Sequence, residues 1–229
     1  MAVSLVEARA LILAGKVYVS DTIGDKPGYQ YSDDILIRTK EFIPFVSRGG
    51  LKLDGGLKHF NINPSSWICA DIGASTGGFT DCLLQHGARL VYAIDVAYGL
   101  LHWKIRTDQR VVVLERLNVR SLSASQISQA LDFAVFDTSF ISLTTVIPPV
   151  LPLFASKIRI LALIKPQFEL AQHRVGKGGI VENENDRLEA VKRIEKFGKE
   201  HDLLCRGYIG SVIKGAKGNQ EYLIYFESR

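Results

Sequence analysis

Cysteine is scarce: Cys69, Cys82 and Cys205 are the only three in 229 residues, and no two form a CxxC pair. A disulfide framework would leave one thiol over, and a paired-cysteine zinc site has no ligands to start from, so a reducing compartment fits best. No apolar run reaches the ~18 residues of a membrane helix. The N-terminus, Met1-Ala-Val-Ser-Leu-Val-Glu-Ala-Arg9, lacks the charged-then-apolar layout of a signal peptide. These absences predict a soluble, cytoplasmic protein with no membrane partner. A GxGxxG dinucleotide turn and a GxxxxGK[ST] phosphate loop are also missing, which disfavours a nicotinamide dehydrogenase and a P-loop NTPase. Charge of one sign is in short supply as well. The 28 Lys+Arg against 24 Asp+Glu leave +4, which permits a nucleic-acid partner without requiring one.

What is present is an ordinary globular composition, 47% hydrophobic and 23% charged, which excludes a disordered or collagen-like chain. Residues Val3–Ala14 carry Leu5, Ala8, Leu11 and Ile12 at helical spacing, and Gly15 is a plausible stop. Lys16–Ser20 and Asp34–Arg38 read as short strands either side of an Asp25-Lys-Pro-Gly28 turn. Helix, strand, turn and strand make a module too small for a robust core of its own. Phe42–Ser47, with Pro44 inside it, reads as the joint to a second domain. The division expected is therefore 1–42 and 43–229.

From residue 67 the chain alternates between strands and helices. Strands are expected at Trp67–Ile72, Leu90–Ile94, Val111–Leu114, Phe133–Phe136 and Ile158–Ile164. Helices are expected at Phe79–His86, Ile141–Phe154 (broken up by its prolines) and Asn185–His201. Two late strands, Leu204–Val212 and Tyr222–Phe226, predict an antiparallel pair at one edge. Apolar strands alternating with helices imply an α/β fold, a mostly parallel sheet covered on both faces.

Ligands of such sheets bind beyond the carboxyl ends of the strands. The first strand runs into Asp71-Ile-Gly-Ala-Ser-Thr-Gly77, a turn of small residues that lets backbone approach a ligand. The second ends at Asp95, placed to accept hydrogen bonds from a ribose diol. Together they point to an adenosine-containing ligand not held mainly by phosphate. The fourth strand ends at Asp137. The fifth ends at Lys165, whose neighbour Pro166 biases it toward extended backbone. A lysine directly after Ile-Leu-Ala-Leu-Ile is not a typical surface lysine. Cys69, Cys82, Trp67 and Trp103 read as packing residues.

Five segments now carry a resemblance. They are Val46-Ser-Arg-Gly-Gly-Leu-Lys-Leu53, Asp71-Ile-Gly-Ala-Ser-Thr-Gly-Gly-Phe-Thr-Asp-Cys82, Asp137-Thr-Ser-Phe-Ile-Ser142, Ile164-Lys-Pro-Gln-Phe-Glu169 and Val175-Gly-Lys-Gly-Gly-Ile180. They resemble the TlyA (hemolysin A) family of S-adenosylmethionine-dependent ribosomal RNA 2′-O-methyltransferases. The resemblance implies a Rossmann-like, RrmJ/FtsJ-like methyltransferase fold behind an S4-like RNA-binding module, here lacking its first helix. It implies a catalytic tetrad at Lys52, Asp137, Lys165 and Glu221, and cofactor contacts at Asp71, Gly73, Ser75, Thr76, Gly77, Asp95 and Asn118. Thr138 stands where the family commonly has Val.

Such a tetrad suits the chemistry. A ribose hydroxyl is a poor nucleophile, and methyl transfer needs it aligned with the methyl group and relieved of its proton. Lys165 is the expected base, Asp137 its orienter, and Lys52 and Glu221 positioning groups; no metal is required. Basic loop residues Arg48, His173, Arg174, Lys177, Lys214 and Lys217 are candidates for RNA phosphates. Residues 1–50 carry six basic and six acidic side chains, so the whole excess, 22 basic against 18 acidic, lies in residues 51–229. The expected partner is ribosomal RNA or a ribosomal subunit. By the resemblance, the short chain ends favour the large subunit. Two other readings remain open: a pore-forming hemolysin, and a non-catalytic RNA-binding or ribosome-assembly factor. The intact tetrad argues against the latter.

Overall fold

The computed structural model describes residues 2, 4–20, 22–32, 35, 37–39 and 43–228. Val3, Asp34, Leu36 and Phe42, within segments discussed above, lie outside them. The chain divides into two compact units, 1–43 and 44–229.

The first unit opens with α1 (Leu5–Leu13), capped by Ser4, whose Oγ accepts the Glu7 N–H at 3.2 Å. The helix closes at Gly15, where φ is +63° and the N–H bonds back to Ile12 O. Strand β1 (Val17–Val19) then pairs antiparallel with both β2 (Thr22–Ile23) and β3 (Ile37–Thr39). Val17 and Val19 supply its buried side chains.

The second unit begins with α2 (Gly49–His59), which the sequence reading did not anticipate. Glycines 49, 50, 55 and 56 oppose a helix by propensity, each by about 1 kcal/mol relative to alanine. Packing overrides this. A Cβ on Gly56 would lie 2.9 Å from Leu161 and 3.0 Å from Leu223, so only glycine lets α2 settle this closely on the sheet. The available signal was Leu53 and Leu57, four residues apart and both buried.

There follow β4 (Ile68–Ile72), α3 (Gly78–Gln85), β5 (Leu90–Ile94), α4 (Trp103–Arg106), β6 (Val111–Leu114), β7 (Phe133–Phe136), α5 (Leu143–Val146), β8 (Arg159–Ile164), α6 (Pro166–Glu169), α7 (Glu184–Glu200), β9 (Leu203–Gly210) and β10 (Tyr222–Ser228). The seven-stranded sheet has the order β6-β5-β4-β7-β8-β10-β9. β10 runs antiparallel to both its neighbours, and the other paired strands run parallel. The helix expected over Ile141–Phe154 shrinks to the single turn of α5, because Pro148, Pro149 and Pro152 turn the rest into a 3₁₀ stretch.

Alternation along each strand builds two cores. Ile68, Ala70 and Ile72 of β4 face the side covered by Ala190, Val191, Ile194 and Phe197 of α7. Cys69 faces the opposite side, with Leu53 and Leu57 of α2 and Phe79, Cys82 and Leu83 of α3. Cys69 and Cys82 are both fully buried in this core, where packing was expected of them. Trp67 also packs, edge-on against Phe133. Trp103 does not: it stands 75% exposed at the start of α4, whose single turn buries only Ile105.

Candidate active site

The chain bends sharply after β4. Gly73 has φ +88°, and a Cβ there would sit 2.8 Å from the carbonyl oxygen of Asp137. Glycine thus lets the loop after β4 touch the end of β7. Gly73 and Ala74 both donate their N–H to Ile94 O, at 2.9 and 3.1 Å, drawing in the end of β5. The Asp95 carboxylate completes this seam, accepting from Ser75 N at 2.7 Å and from Ala97 N at 2.8 Å. A carboxylate has about four lone-pair sites, so roughly two stay available for a ribose diol. Gly77, with φ +92°, starts α3.

Three cavities open around this seam. One of about 460 Å³ is lined by Gly73, Ser75, Asp95, Asn118 and Phe140 among others. A second, of about 440 Å³, is lined by Arg48, Lys52, Gly73, Thr76 and Lys214. The third, about 400 Å³, is lined by Lys52, Asp137, Lys165, Lys217 and Glu221. Asp137 lines all three. The four tetrad residues, scattered over 170 positions of sequence, share one cavity.

They form two ion pairs. Lys165 Nζ lies 2.6 Å from Asp137 Oδ1 and donates to Ser139 Oγ at 2.9 Å. Lys52 Nζ donates to Glu221 Oε2 at 2.5 Å, and both side chains are largely buried. Beneath the first pair lies a staple. Glu169, four residues after Lys165, accepts from Ser142 Oγ at 2.5 Å and from Leu143 N at 2.8 Å. Burial raises the Glu169 carboxyl above its ordinary range, and these two bonds work against that rise.

Asp71 is placed differently from the other expected cofactor residues. It is fully buried, faces α3, and accepts from Thr80 Oγ1 at 2.6 Å. It lines none of the three cavities. Burial, together with the nearby Asp137 and Asp95 charges, pushes its carboxyl up to about 7 against the Thr80 hydrogen bond. Gly77 is likewise absent from the cavity walls; its part is the turn into α3.

The basic candidates divide too. Arg48, Lys214 and Lys217 are exposed and line the cavities. His173 and Lys177 are exposed on short 3₁₀ turns and do not line the cavities themselves, although Val175 and Gly179 between and beside them line the third. Arg174 is engaged by an ion pair with Asp186 on the first turn of α7, so it is not a free cation.

The sequence reading assigned no role to Phe140, Ser139 or Glu169. Phe140 is 90% exposed, has φ +64°, and lines two of the cavities. Its ring lies 5.1 Å from that of Phe168. A bulky residue held in the left-handed region is strained, and such strain clusters at functional sites. The signal available was a large apolar side chain three residues beyond the strand-end Asp137, where nothing in the core calls for it.

A Gly-rich seam beside an acid that can take a ribose, opening onto a lysine–carboxylate pair at the strand ends, defines a nucleoside-cofactor methyltransferase site. The profile of the FtsJ-like methyltransferase family matches residues 45–228, and the chain belongs to that family. It is 40% identical over 225 residues to the 16S/23S rRNA (cytidine-2′-O)-methyltransferase TlyA of Mycobacterium tuberculosis, covering 97% of this chain and 84% of that protein. It is 32% identical over 183 residues to the 23S rRNA (cytidine-2′-O)-methyltransferase TlyA of Campylobacter jejuni, covering 80% and 70%. A solved structure of a candidate hemolysin from Streptococcus thermophilus superposes with a TM-score of 0.81 at 37% identity, covering 96% of this chain and 82% of that one. Among the described residues, no helix is long and apolar enough to cross a membrane.

Proposed function

We propose that this chain is an S-adenosylmethionine-dependent ribosomal RNA 2′-O-methyltransferase acting on cytidine, with Lys165 as general base. The carrying observation is the Lys165–Asp137 pair at the point where three cavities meet. The named relatives support the substrate class, and both take 23S RNA, which favours the large subunit.

The residues fit the cofactor. Gly73 lines two of the cavities, with no side chain to keep a ligand off the backbone. Asp95 offers spare acceptor sites to the ribose, and Asn118 stands among Leu117 and Val119 where a base would lie. Ser75 and Thr76 face the neighbouring cavity, beside Gly49 at the start of α2. S-Adenosylmethionine supplies an electrophilic methyl group whose carrier leaves as a neutral thioether.

Lys165, in its neutral form, takes the proton of the 2′-hydroxyl. Asp137 and Ser139 fix the direction of its Nζ, and Asp137 then stabilises the ammonium that forms. The Lys52–Glu221 pair stands across the same cavity and holds the ribose in line. Phe140 offers its exposed ring to the target base. Arg48, Lys214 and Lys217 meet the flanking phosphates. Asp71 and Gly77 support the loop from below rather than touching the cofactor. The first 42 residues serve as an S4-like RNA-binding module; their own three-stranded sheet and separate compactness support this. The protein works in the cytoplasm, which suits three free cysteines.

The test is mapping of 2′-O-methyl groups on ribosomal RNA treated with wild type or Lys165→Ala. Loss of a general base costs about 10²–10⁴ in rate. The expected result is a cytidine methylated by wild type and not by the variant, with S-adenosylmethionine binding retained in both. Full activity of Lys165→Ala sinks the base assignment, and no methylation of either subunit by wild type sinks the substrate.

A further inference from the structure

The packed faces of α2 and α3 hold a cluster that none of the three cavities uses. Cys82 and His86 are four residues apart, so both project from one side of α3. Asp54 faces them from α2. The Cys82 sulfur, a His86 ring nitrogen and an Asp54 carboxylate oxygen all lie within 4.8 Å of one another. His86 Nε2 is 2.9 Å from Asp54 Oδ1, and Lys58 Nζ donates to Asp54 Oδ2 at 2.6 Å. A second observation concerns the thiol itself. Cys82 is 0% exposed. Among the described residues, Cys69 donates to Trp67 O and Cys205 to Gly207 O, whereas Cys82 Sγ has no hydrogen-bond partner. It is a buried, unpartnered soft donor aimed at an imidazole and a carboxylate.

We propose that Asp54, Cys82 and His86 bind a divalent cation of the zinc type, with water as a fourth ligand. Sulfur, imidazole nitrogen and carboxylate oxygen are the donors zinc takes, and hard magnesium and calcium ions prefer all-oxygen shells. Tetrahedral zinc holds its ligand atoms roughly 3.5 Å apart, so closure asks for about 1 Å of side-chain rotation. On binding, the Cys82 S–H bond breaks, its proton leaves to solvent, and the sulfur lone pair forms the metal–sulfur bond. Nothing is oxidised or reduced. Asp54 exchanges the Lys58 ammonium for the cation, and thiolate and carboxylate together balance its two charges. Entry is open, since the His86 side chain is 31% exposed and that of Asp54 18%. The ion would clamp α2, which carries Lys52 two residues before Asp54, to α3, which grows out of the Gly73–Gly77 turn.

The test titrates metal-free protein with Co²⁺, a spectroscopic stand-in for Zn²⁺. One equivalent should produce a thiolate-to-cobalt charge-transfer band, and Zn²⁺ should displace it. Cys82→Ala and His86→Gln should each weaken binding at least tenfold, and Cys205→Ala should leave it unchanged. Lys58→Ala should tighten it severalfold, because the carboxylate loses its competing ammonium; that side chain is 70% exposed, so folding is not at risk. A band that survives His86→Gln and Cys82→Ala overturns the proposal. So does a wild-type protein with neither a Co²⁺ band nor a Zn²⁺-dependent rise in Tm. If Cys82→Ala does not fold, the two surface variants decide. None of these readouts uses methyl transfer, so they stand apart from the function proposed above.

Discussion

Glu169 Oε1 accepts the backbone N–H of Leu143 at 2.8 Å, tying the turn after β8 to the loop after β7. One loop presents Lys165 and the other Asp137, so a carboxylate that touches neither sets the distance between them. Arg193 on α7 donates to the Glu169 carbonyl oxygen and fixes the staple from behind.

Glu169→Ala should therefore damage both stability and rate. It leaves the Leu143 N–H and the Ser142 hydroxyl without their buried acceptor, a cost of about 1–3 kcal/mol. Denaturant unfolding should show that loss. Methyl transfer should fall mainly in kcat, since the reacting pair loses its spacing while the cofactor cavity stays intact. Glu169→Gln keeps one acceptor oxygen and should recover part of both. A fall in KM affinity alone, with kcat unchanged, would remove the staple from the catalytic account.

Gly73→Ala should abolish cofactor binding in a folded protein. The new Cβ meets the Asp137 carbonyl at 2.8 Å, and φ +88° is strained for any L side chain. The loop must back away from β7, opening the seam that Asp95 and Ser75 close. Calorimetry with S-adenosylmethionine is the measurement, with unbound cofactor at millimolar concentration expected. Wild-type affinity would mean the loop tolerates a shift the contact distances do not allow.

Phe140→Gly should raise Tm while lowering activity on RNA. The ring is 90% exposed and contributes little burial, and glycine removes the left-handed strain, worth about 1–3 kcal/mol. Cofactor affinity should stay within a factor of a few. The loss should appear in kcat/KM for ribosomal RNA. Equal activity and unchanged Tm would leave the residue without a role.

Two carboxylates set opposite pH limbs of stability. The folded Asp71 carboxyl is raised from 3.8 to about 7, so between those values the folded state holds a proton the unfolded chain has lost. Its contribution is greatest below 3.8 and declines as pH rises toward 7. Asp71→Asn should flatten that decline. Glu227 behaves the other way. Burial would raise it, but hydrogen bonds from Lys157, Tyr225 and Arg206 hold it down to about 2 against an ordinary 4.5. Its contribution is complete above 4.5 and vanishes as pH falls toward 2. Glu227→Gln should lower Tm at neutral pH and remove that acid limb. Parallel Tm–pH curves for variant and wild type would contradict either assignment.

Much was legible from residues alone. Continuous apolar runs such as Ile160–Ile164 mark strands buried on both faces, and the strand ends put Asp95, Asp137 and Lys165 on one side of the sheet without any coordinates. Local propensity misled at α2, where four glycines hide a helix whose reason is the close approach to Leu161 and Leu223. At Asp71, which the resemblance put among the cofactor contacts, the alternation of the strand sends the carboxylate into the core beneath the loop. The folded chain shows which basic loop residue is already engaged, Arg174 by Asp186, and which buried acid braces the Lys165–Asp137 pair.

The class of fold, the order of the strands along the chain and the residue types at their ends can all be read from the residues. Those depend on periodicity and turn chemistry, which act over a few residues. That Lys52 meets Glu221, that three cavities converge on Asp137, and that Asp54, Cys82 and His86 gather between two helices emerges only in the folded chain. Pairings between residues far apart in the chain depend on how helices pack against the sheet, and no local pattern carries that information.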